Sequence, residues 1–248
     1  MNYKKRGVIF FLITLVIIDY IAMVDIFTSN YAMIEDTDIS MLAYKLLGSN
    51  NMYELDFEKI FVFGLPYVIF GLVSAMIMYE YNCIDKINVV VRYKSRTNMM
   101  IRRLIMGAFF SVIFVIAHLG IVMMSITPNY MYFIVTNYTK EILTLIVRLI
   151  IYIYEITCIG GMLNIALGET ITIVTGMVLY IFDAIYIFFY LGKENSISLM
   201  SENVNILTGV DCNYFILFLH MILALVLSIL FVYFVRKRDL GIHGRSKK

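Results

Sequence analysis

The stretch from Glu80 to Arg103 reads EYNCIDKINVVVRYKSRTNMMIRR and lies between two strongly apolar segments of the chain. Its only acidic residues are Glu80 and Asp85. Its basic residues are Lys86, Arg92, Lys94, Arg96, Arg102 and Arg103. Moving a cluster of cations across a membrane is unfavourable, so Lys and Arg collect in the cytoplasmic loops of membrane proteins. The pattern therefore predicts a cytoplasmic loop between two membrane-spanning helices.

The middle of this loop has the pattern of a short amphipathic helix. Ile84, Ile87, Val90 and Val91 recur at roughly helical spacing, and cations occupy positions on the other side. We therefore expect the loop to contain a short cytoplasmic helix with one apolar face.

The composition of the whole chain indicates a membrane protein. Of its 248 residues, 61% are hydrophobic and only 15% are charged, and the mean hydropathy is +0.85. A soluble domain of this length carries about a quarter charged residues, because its surface is solvated. The net charge is only +2, and the cations are grouped by compartment rather than along a nucleic-acid footprint. No DNA or RNA partner is predicted.

Six apolar runs are long enough to cross a hydrocarbon core of ~30 Å as helices. They cover residues 7–25, 60–79, 104–126, 139–163, 170–191 and 214–235. Most of the 20 Lys and Arg residues lie at the amino terminus, in the central loop and in the tail after Val235. Because such residues stay inside, we expect both termini to be cytoplasmic. The predicted fold is all-α, one polytopic transmembrane domain over residues 1–248.

Two of the predicted outer connections have helical or interfacial character. Ser40 to Leu47, followed by Gly48, has the polar start and glycine stop of a short helix, which we expect on the outer membrane surface. The segment ISLMSENVNILTGV, residues 197–210, is half apolar and is expected to dip into the interface.

The remaining short connections are predicted to be turns. Pro128 and Asn129 indicate a turn in the uncharged outer link from Thr127 to Asn137. Four residues indicate a tight cytoplasmic link between spans four and five, namely Gly160, Gly161, Asn164 and Gly168. Glu169 is then expected to begin the next helix, where an acidic residue suits the helix dipole.

Gly64 and Gly71 are seven residues apart in the second span and therefore share one helix face. Small residues on one face of a membrane helix let a neighbouring helix approach closely. We interpret this pair as a packing feature.

Four polar residues within the predicted spans are candidates for function: His118, Arg148, Glu155 and Asp183. Arg148 and Glu155 lie two turns apart on one face, about 10 Å from each other, so direct contact requires bending. Neither can face lipid cheaply. Arg148 either pairs with a carboxylate on another helix, with Asp183 the obvious candidate, or lies on a face that lines a translocation path. His118 is interpreted as bonded to a neighbouring helix rather than as a ligand.

Catalytic and metal-binding motifs are missing from the sequence. It contains no GxxxxGK[ST] phosphate loop, no HExxH and no GxSxG. The three cysteines, Cys83, Cys158 and Cys212, are predicted at the cytoplasmic face, within the membrane and at the outer face, which excludes a joint metal site. We expect no catalytic residue, no metal and no cofactor bound by this chain.

The arrangement of these segments resembles that of ABC-2 type transporter permeases. The shared features are a basic amino terminus, an acidic outer loop after span one, a long basic loop between spans two and three, and a partly apolar outer segment before span six. RYKSR at Arg92 to Arg96, followed by MMIRR, is similar to the coupling region of the small permeases that accompany bacteriocin or antimicrobial-peptide ABC transporters. The resemblance covers nearly the whole chain in architecture but only about twenty residues in sequence pattern.

The resemblance implies a permease subunit in a bacterial cell membrane, with a hydrophobic or amphipathic substrate such as a lantibiotic peptide. It implies a separate ABC ATPase subunit that holds ATP and Mg, and a second permease chain, identical or different. The residues that it assigns to ATPase coupling are Ile84, Ile87, Val91, Arg92, Lys94 and Arg96. The alternative is a non-transporting immunity or sensor protein that binds a peptide without ATP.

Overall fold

The computed structural model describes residues 39–49, 52–80, 96–124, 126, 128–190, 197–209 and 213–245. Within these ranges all the regular structure is helical. The helices are α1 (Ser40–Leu47), α2 (Phe57–Glu80), α3 (Arg96–Met124), α4 (Pro128–Asn137), α5 (Thr139–Leu167), α6 (Glu169–Tyr190), α7 (Leu199–Leu207) and α8 (Tyr214–Arg245), and a 3-10 turn covers Met52–Glu54. The predicted all-α fold class is confirmed for this part of the chain.

Five of the described helices, α2, α3, α5, α6 and α8, are long and apolar enough to cross a membrane. They coincide with the predicted spans 60–79, 104–126, 139–163, 170–191 and 214–235, although most extend further at one or both ends. The described chain therefore has the helices of a multi-pass membrane protein. The first predicted span, 7–25, and the predicted coupling helix up to residue 95 lie outside the described residues.

Two of the predicted connections are wrong in form. The link predicted as a turn at Pro128 is the ten-residue helix α4, which begins at that proline. Proline suits the first position of a helix because its fixed φ is helical and the amide that it lacks has no intrahelical partner there.

The predicted link around Gly160 is also mostly helical. Helix α5 runs through Gly160, Gly161 and Asn164 to Leu167, and only Gly168, at φ +88°, breaks it. Glu169 begins α6 as predicted. The predicted length of the non-helical link was too great, because a glycine inside a membrane helix can permit close packing instead of ending the helix.

The described residues form two compact units. Each of the five long helices is divided between them, with one part in the first unit and the other part in the second. The first unit takes its described residues from the chain up to Pro66, from Ile113–Leu149 and from Ile181–Ile216. The second takes them from Tyr67–Val112, from Ile150–Tyr180 and from Leu217 onward.

The second unit is packed through glycines at close helix contacts. A Cβ on Gly71 of α2 would lie 2.7 Å from Ile156 Cγ2 of α5, and one on Gly176 of α6 would lie 2.6 Å from Leu72 Cδ2. Thr157 Oγ1 of α5 donates a 3.3 Å hydrogen bond to the Gly71 carbonyl. The prediction that Gly71 serves helix packing is confirmed.

The first unit contains the short helices α1, α4 and α7, of which α1 and α7 pack against each other. Helix α1 has the predicted bounds and ends at Gly48, whose φ of +70° and N–H bond to the Tyr44 carbonyl form its cap. Lys45 and Ser49 are nearly inaccessible, as are the apolar side chains Leu42, Ala43 and Leu46. Helix α1 is thus enclosed by protein rather than lying open on a membrane surface.

Candidate functional site

Helix α7 is a polar helix that is completely enclosed in the first unit. All nine of its residues are buried, including Ser201, Glu202, Asn203 and Asn205. The helix starts where Ser198, in an extended conformation, accepts hydrogen bonds at its Oγ from the amides of Met200 and Ser201, at 3.2 and 3.5 Å. Such a cap satisfies amides that the first helical turn leaves without intrahelical partners. The sequence thereby places four polar side chains in the protein interior.

Arg148 of α5 is bound to this helix and to the segment that follows it. Its guanidinium, with 0% exposure, donates to the Glu202 carbonyl at 3.2 Å and to the Asn213 carbonyl at 3.1 Å. Its Nη1 also lies 3.5 Å from Glu202 Oε2, which accepts a 2.9 Å hydrogen bond from the Asn213 amide. A buried cation is tolerated only when it is paired and hydrogen-bonded, and this arrangement supplies both.

The sequence predicted that Arg148 does not face lipid, and its complete burial agrees with that. Glu202 is a carboxylate partner that sequence reasoning missed, because residues 197–210 were assigned to an outer segment. Asp183, half-buried on α6, remains a predicted partner of Arg148. The signal that could have found α7 is the Ser198 cap followed by apolar residues at helical spacing, Leu199, Met200, Val204, Ile206 and Leu207.

Three polar atoms on α7 have no hydrogen-bond partner in the described structure. They are Ser201 Oγ, Asn203 Oδ1 and Asn205 Oδ1. Buried polar groups in folded proteins are nearly always bonded, so an exception calls for an explanation such as ordered water or a ligand.

The second predicted carboxylate, Glu155 of α5, is in hydrogen-bonding contact with a histidine in the second unit. Both of its carboxylate oxygens lie 3.0 Å from Nδ1 of His220 on α8. The side chains are 8% and 13% exposed, so the pair is largely withdrawn from its surroundings. His220 was missed by sequence reasoning, since it is a single polar residue six positions into a long apolar helix.

A neighbouring set of polar contacts also joins α5 to α8. The hydroxyls of Tyr154 and Ser228 lie 2.8 Å apart, and Ser228 Oγ donates to the Ala224 carbonyl at 2.7 Å. Cys158 is completely buried in the adjoining apolar cluster, which includes Leu227 and Phe231. Lipid tails are as apolar as aliphatic side chains, so the hydrophobic effect does not drive membrane helices together. Hydrogen bonds between polar side chains on neighbouring helices help to stabilise their association instead.

The remaining predicted site residues include His118 and the coupling residues. His118 is 3% exposed in the first unit, and its ring stacks on Phe114 of the same helix with 6.0 Å between centroids. The predicted coupling residues Ile84, Ile87, Val91, Arg92 and Lys94 lie outside the described residues, and Arg96 begins α3. Among the described residues, no group of three or more His, Cys, Asp or Glu side chains could hold a metal ion.

The two clusters share one chemical property. Each pairs a carboxylate with a cationic or titratable group at a position where an unpaired charge would be costly. The first cluster adds polar atoms that are open to further hydrogen bonds. Comparison of the chain with protein-family models, with curated proteins and with solved structures finds no match.

Proposed function

We propose that this chain is the permease subunit of an ABC transporter, exporting or extracting a hydrophobic or amphipathic peptide with energy from a separate ATPase subunit. The observation that carries the proposal is the basic, amphipathic stretch of residues 80–103 between two membrane-spanning helices. It occurs in a chain whose sequence has no phosphate-binding loop of its own.

The coupling step would take place at this stretch. Ile84, Ile87 and Val91 would fill a groove of the ATPase, and Arg92, Lys94 and Arg96 would meet its acidic rim. Apolar anchors supply most of the affinity of such an interface, while rim charges supply register and association rate. ATP and Mg are held by the partner, and this chain transmits the movement of the loop to α2 and α3.

The buried polar clusters support a transport role over a purely structural one. Arg148, Glu202 and Glu155 are buried between packed helices, and ionisable groups inside membrane proteins usually mark substrate or ion pathways. A chain that only anchors a partner in the membrane has no need of them. The membrane location proposed is a bacterial cell membrane with both termini cytoplasmic.

The experiment is purification of the tagged full-length chain from its native membranes, followed by a test for co-eluting, Mg-dependent ATP hydrolysis. Ile87→Glu combined with Val91→Glu should remove the ATPase while the chain still inserts in the membrane. The matched control is Asn82→Glu combined with Tyr93→Glu, which adds the same charge at positions that helical spacing places opposite the apolar face.

Retention of the ATPase by the Ile87/Val91 variant would contradict the assigned coupling face. No co-eluting ATPase with the unaltered chain would contradict the permease assignment and favour the alternative, a membrane immunity or sensor protein that binds a peptide without ATP.

A further inference from the structure

Ser201 and Asn205 of α7 form a pair of polar side chains with unused hydrogen-bonding capacity. They are four residues apart, so they lie on the same face of the helix, one turn from each other. Their exposures are 0% and 1%, and neither Ser201 Oγ nor Asn205 Oδ1 has a hydrogen-bond partner in the described structure.

The Ser201 hydroxyl lacks a hydrogen bond that several other hydroxyls in the described residues make. Serine and threonine hydroxyls in helices commonly donate to the carbonyl four residues earlier. Among the described residues that do so are Ser111, Thr144, Thr157, Thr172, Thr208 and Ser228. For Ser201 that carbonyl belongs to Ile197, which lies before the N-cap residue Ser198 and so outside the first turn of the helix. The hydroxyl is therefore left available by the position of the helix start.

Keeping these two groups is costly for stability. Each buried polar group without a partner destabilises the fold relative to an apolar group of the same shape. Asn203 Oδ1 is a third such atom, but it lies two residues from each of the others, towards the opposite side of the helix, and its amide nitrogen contacts Met200 Sδ at 3.7 Å. The Ser201 and Asn205 face is thus a separate polar patch, and local violations of packing rules concentrate at functional sites.

The charge around this patch indicates which ligand it would accept. The charged side chain on the helix, Glu202, is matched by Arg148, so α7 itself offers no unmatched carboxylate to hold a cation. The two atoms of this patch without a partner are one hydroxyl, which can donate, and one amide oxygen, which accepts. A peptide group carries the complementary set, a carbonyl acceptor and an N–H donor.

We propose that Ser201 and Asn205 form a subsite that hydrogen-bonds an uncharged peptide group of the transported molecule, Asn205 Oδ1 accepting from its N–H and Ser201 Oγ donating to its carbonyl. This inference rests on the proposed function and names the chemistry of the substrate. Because both atoms are closed to solvent, the peptide reaches them when the helices around α7 separate, as alternating access requires.

The first test measures thermal unfolding of the full chain in lipid nanodiscs. Ser201→Ala and Asn205→Leu should each raise the melting temperature by roughly 2–4 °C, because each removes a costly unpaired group. The matched control is Thr208→Val on the same segment, whose hydroxyl is bonded to the Val204 carbonyl at 2.9 Å. That variant should not gain stability. A lowered melting temperature for both Ser201→Ala and Asn205→Leu would overturn the proposal and indicate a structural role filled by ordered water.

The second test compares two fluorescent probes on the same nanodiscs, with empty nanodiscs as the background. One probe is a capped peptide of alternating Leu and Ala, and the other is its ester analogue, in which alternate N–H groups are replaced by oxygen. The unaltered chain should bind the peptide about tenfold more tightly than the ester, the loss expected for one hydrogen bond.

The discrimination between the probes should disappear in Asn205→Leu and persist in Thr208→Val. Equal binding of the two probes by the unaltered chain, discrimination that persists in Asn205→Leu, or no binding above the empty-disc level would each overturn the subsite. Both tests use the chain without an ATPase. Failure to co-purify an ATPase would therefore overturn the transporter assignment by itself and leave these results readable.

Discussion

Arg148 has the largest fully buried side chain among the described residues, and its surroundings show how a cation is kept inside a membrane protein. Two carbonyls and one carboxylate surround the guanidinium, and they come from α7 and from Asn213, far from Arg148 in the sequence. A lone arginine in a membrane interior is expensive, so its bonding partners are part of the fold rather than an addition to it.

Arg148→Met should destabilise the chain by about 3–5 kcal/mol, because it leaves the Glu202 carboxylate buried without its cation. Adding Glu202→Gln should recover part of the loss, since a neutral amide still accepts the Asn213 N–H bond. Unfolding in detergent, followed by circular dichroism, measures both. A second cycle with Asp183→Asn tests the pairing predicted from the sequence. Additive losses in either cycle would mean that the carboxylate concerned is not coupled to Arg148.

Lys45 gives a prediction on pH. Burial lowers the pKa of Lys45 from 10.5 to about 8, so the unfolded chain binds more protons than the folded chain between those two values. Stability should therefore rise as the pH increases from 8 to 10.5, as the cost of the buried charge is removed. Lys45→Met should abolish this rise in melting temperature.

Lys59→Met is the control for the Lys45 experiment, because the Lys59 ammonium makes an exposed hydrogen bond to the Glu54 carbonyl. It should leave the alkaline rise in melting temperature in place. A rise of the same size in Lys45→Met would show that another group causes it.

At the scale of the helices, glycine has two different uses in this chain. Gly48 and Gly168 end helices in left-handed conformations, at φ +70° and +88°, which other residues adopt reluctantly. Gly71, Gly160 and Gly176 stand inside helices, where a Cβ would meet a neighbouring side chain at 2.6–3.1 Å. The same residue type therefore ends a helix in one place and permits a close helix contact in another.

Gly71→Ala should destabilise the chain by about 1–3 kcal/mol, because the new Cβ would also lie 3.2 Å from the Ile153 carbonyl, a backbone atom that cannot rotate away. Gly120→Ala is the matched control, since nothing lies within 4 Å of a Cβ at that position in α3. It should be neutral or stabilise by about 0.5–1 kcal/mol, the usual gain for alanine in a helix. Equal effects of the two substitutions on the unfolding midpoint would contradict the packing role.

At the scale of the whole molecule, the spanning helices differ in how much of their surface is covered. Within the most apolar part of each, 56% of α2 is buried but only 11% of α8. The exposed side chains of α8 between Tyr214 and Phe234 are large and apolar, among them Phe218, Leu225 and Ile229. Such a surface belongs in lipid or against another membrane helix, because exposing so large an apolar area to water has a high free-energy cost.

The proposed orientation can be tested with two native cysteines, Cys83 and Cys212, which lie outside the described residues. Cys83 is in the basic loop and is expected inside, whereas Cys212 precedes the last span and is expected outside, because cations stay in the cytoplasm. In single-cysteine variants, a membrane-impermeant maleimide added to intact cells should label Cys212 at once. It should label Cys83 only after permeabilisation. The reverse pattern would invert the topology.

The sequence alone was enough to predict where the long helices of the described chain lie. A spanning helix needs about 20 apolar residues in one run, and such a run can be recognised directly in the sequence. The bounds of α1 and the first residue of α6 were predicted for a related reason, since caps and glycine stops act within a few residues. Arg148 could be predicted to avoid lipid because the free-energy cost of exposing its guanidinium to lipid does not depend on which group it pairs with.

Only the tertiary structure decided which groups meet. Glu202 reaches Arg148, and His220 reaches Glu155, across 54 and 65 residues of chain. No local spacing encodes such contacts. Helix α7 was missed as an enclosed element because nine residues with four polar side chains resemble an exposed segment until other helices cover them. Gly160 was misassigned to a link for the same reason: whether a glycine ends a helix or admits a neighbour depends on Ala75, 3.1 Å from its would-be Cβ, and that neighbour is supplied by the fold.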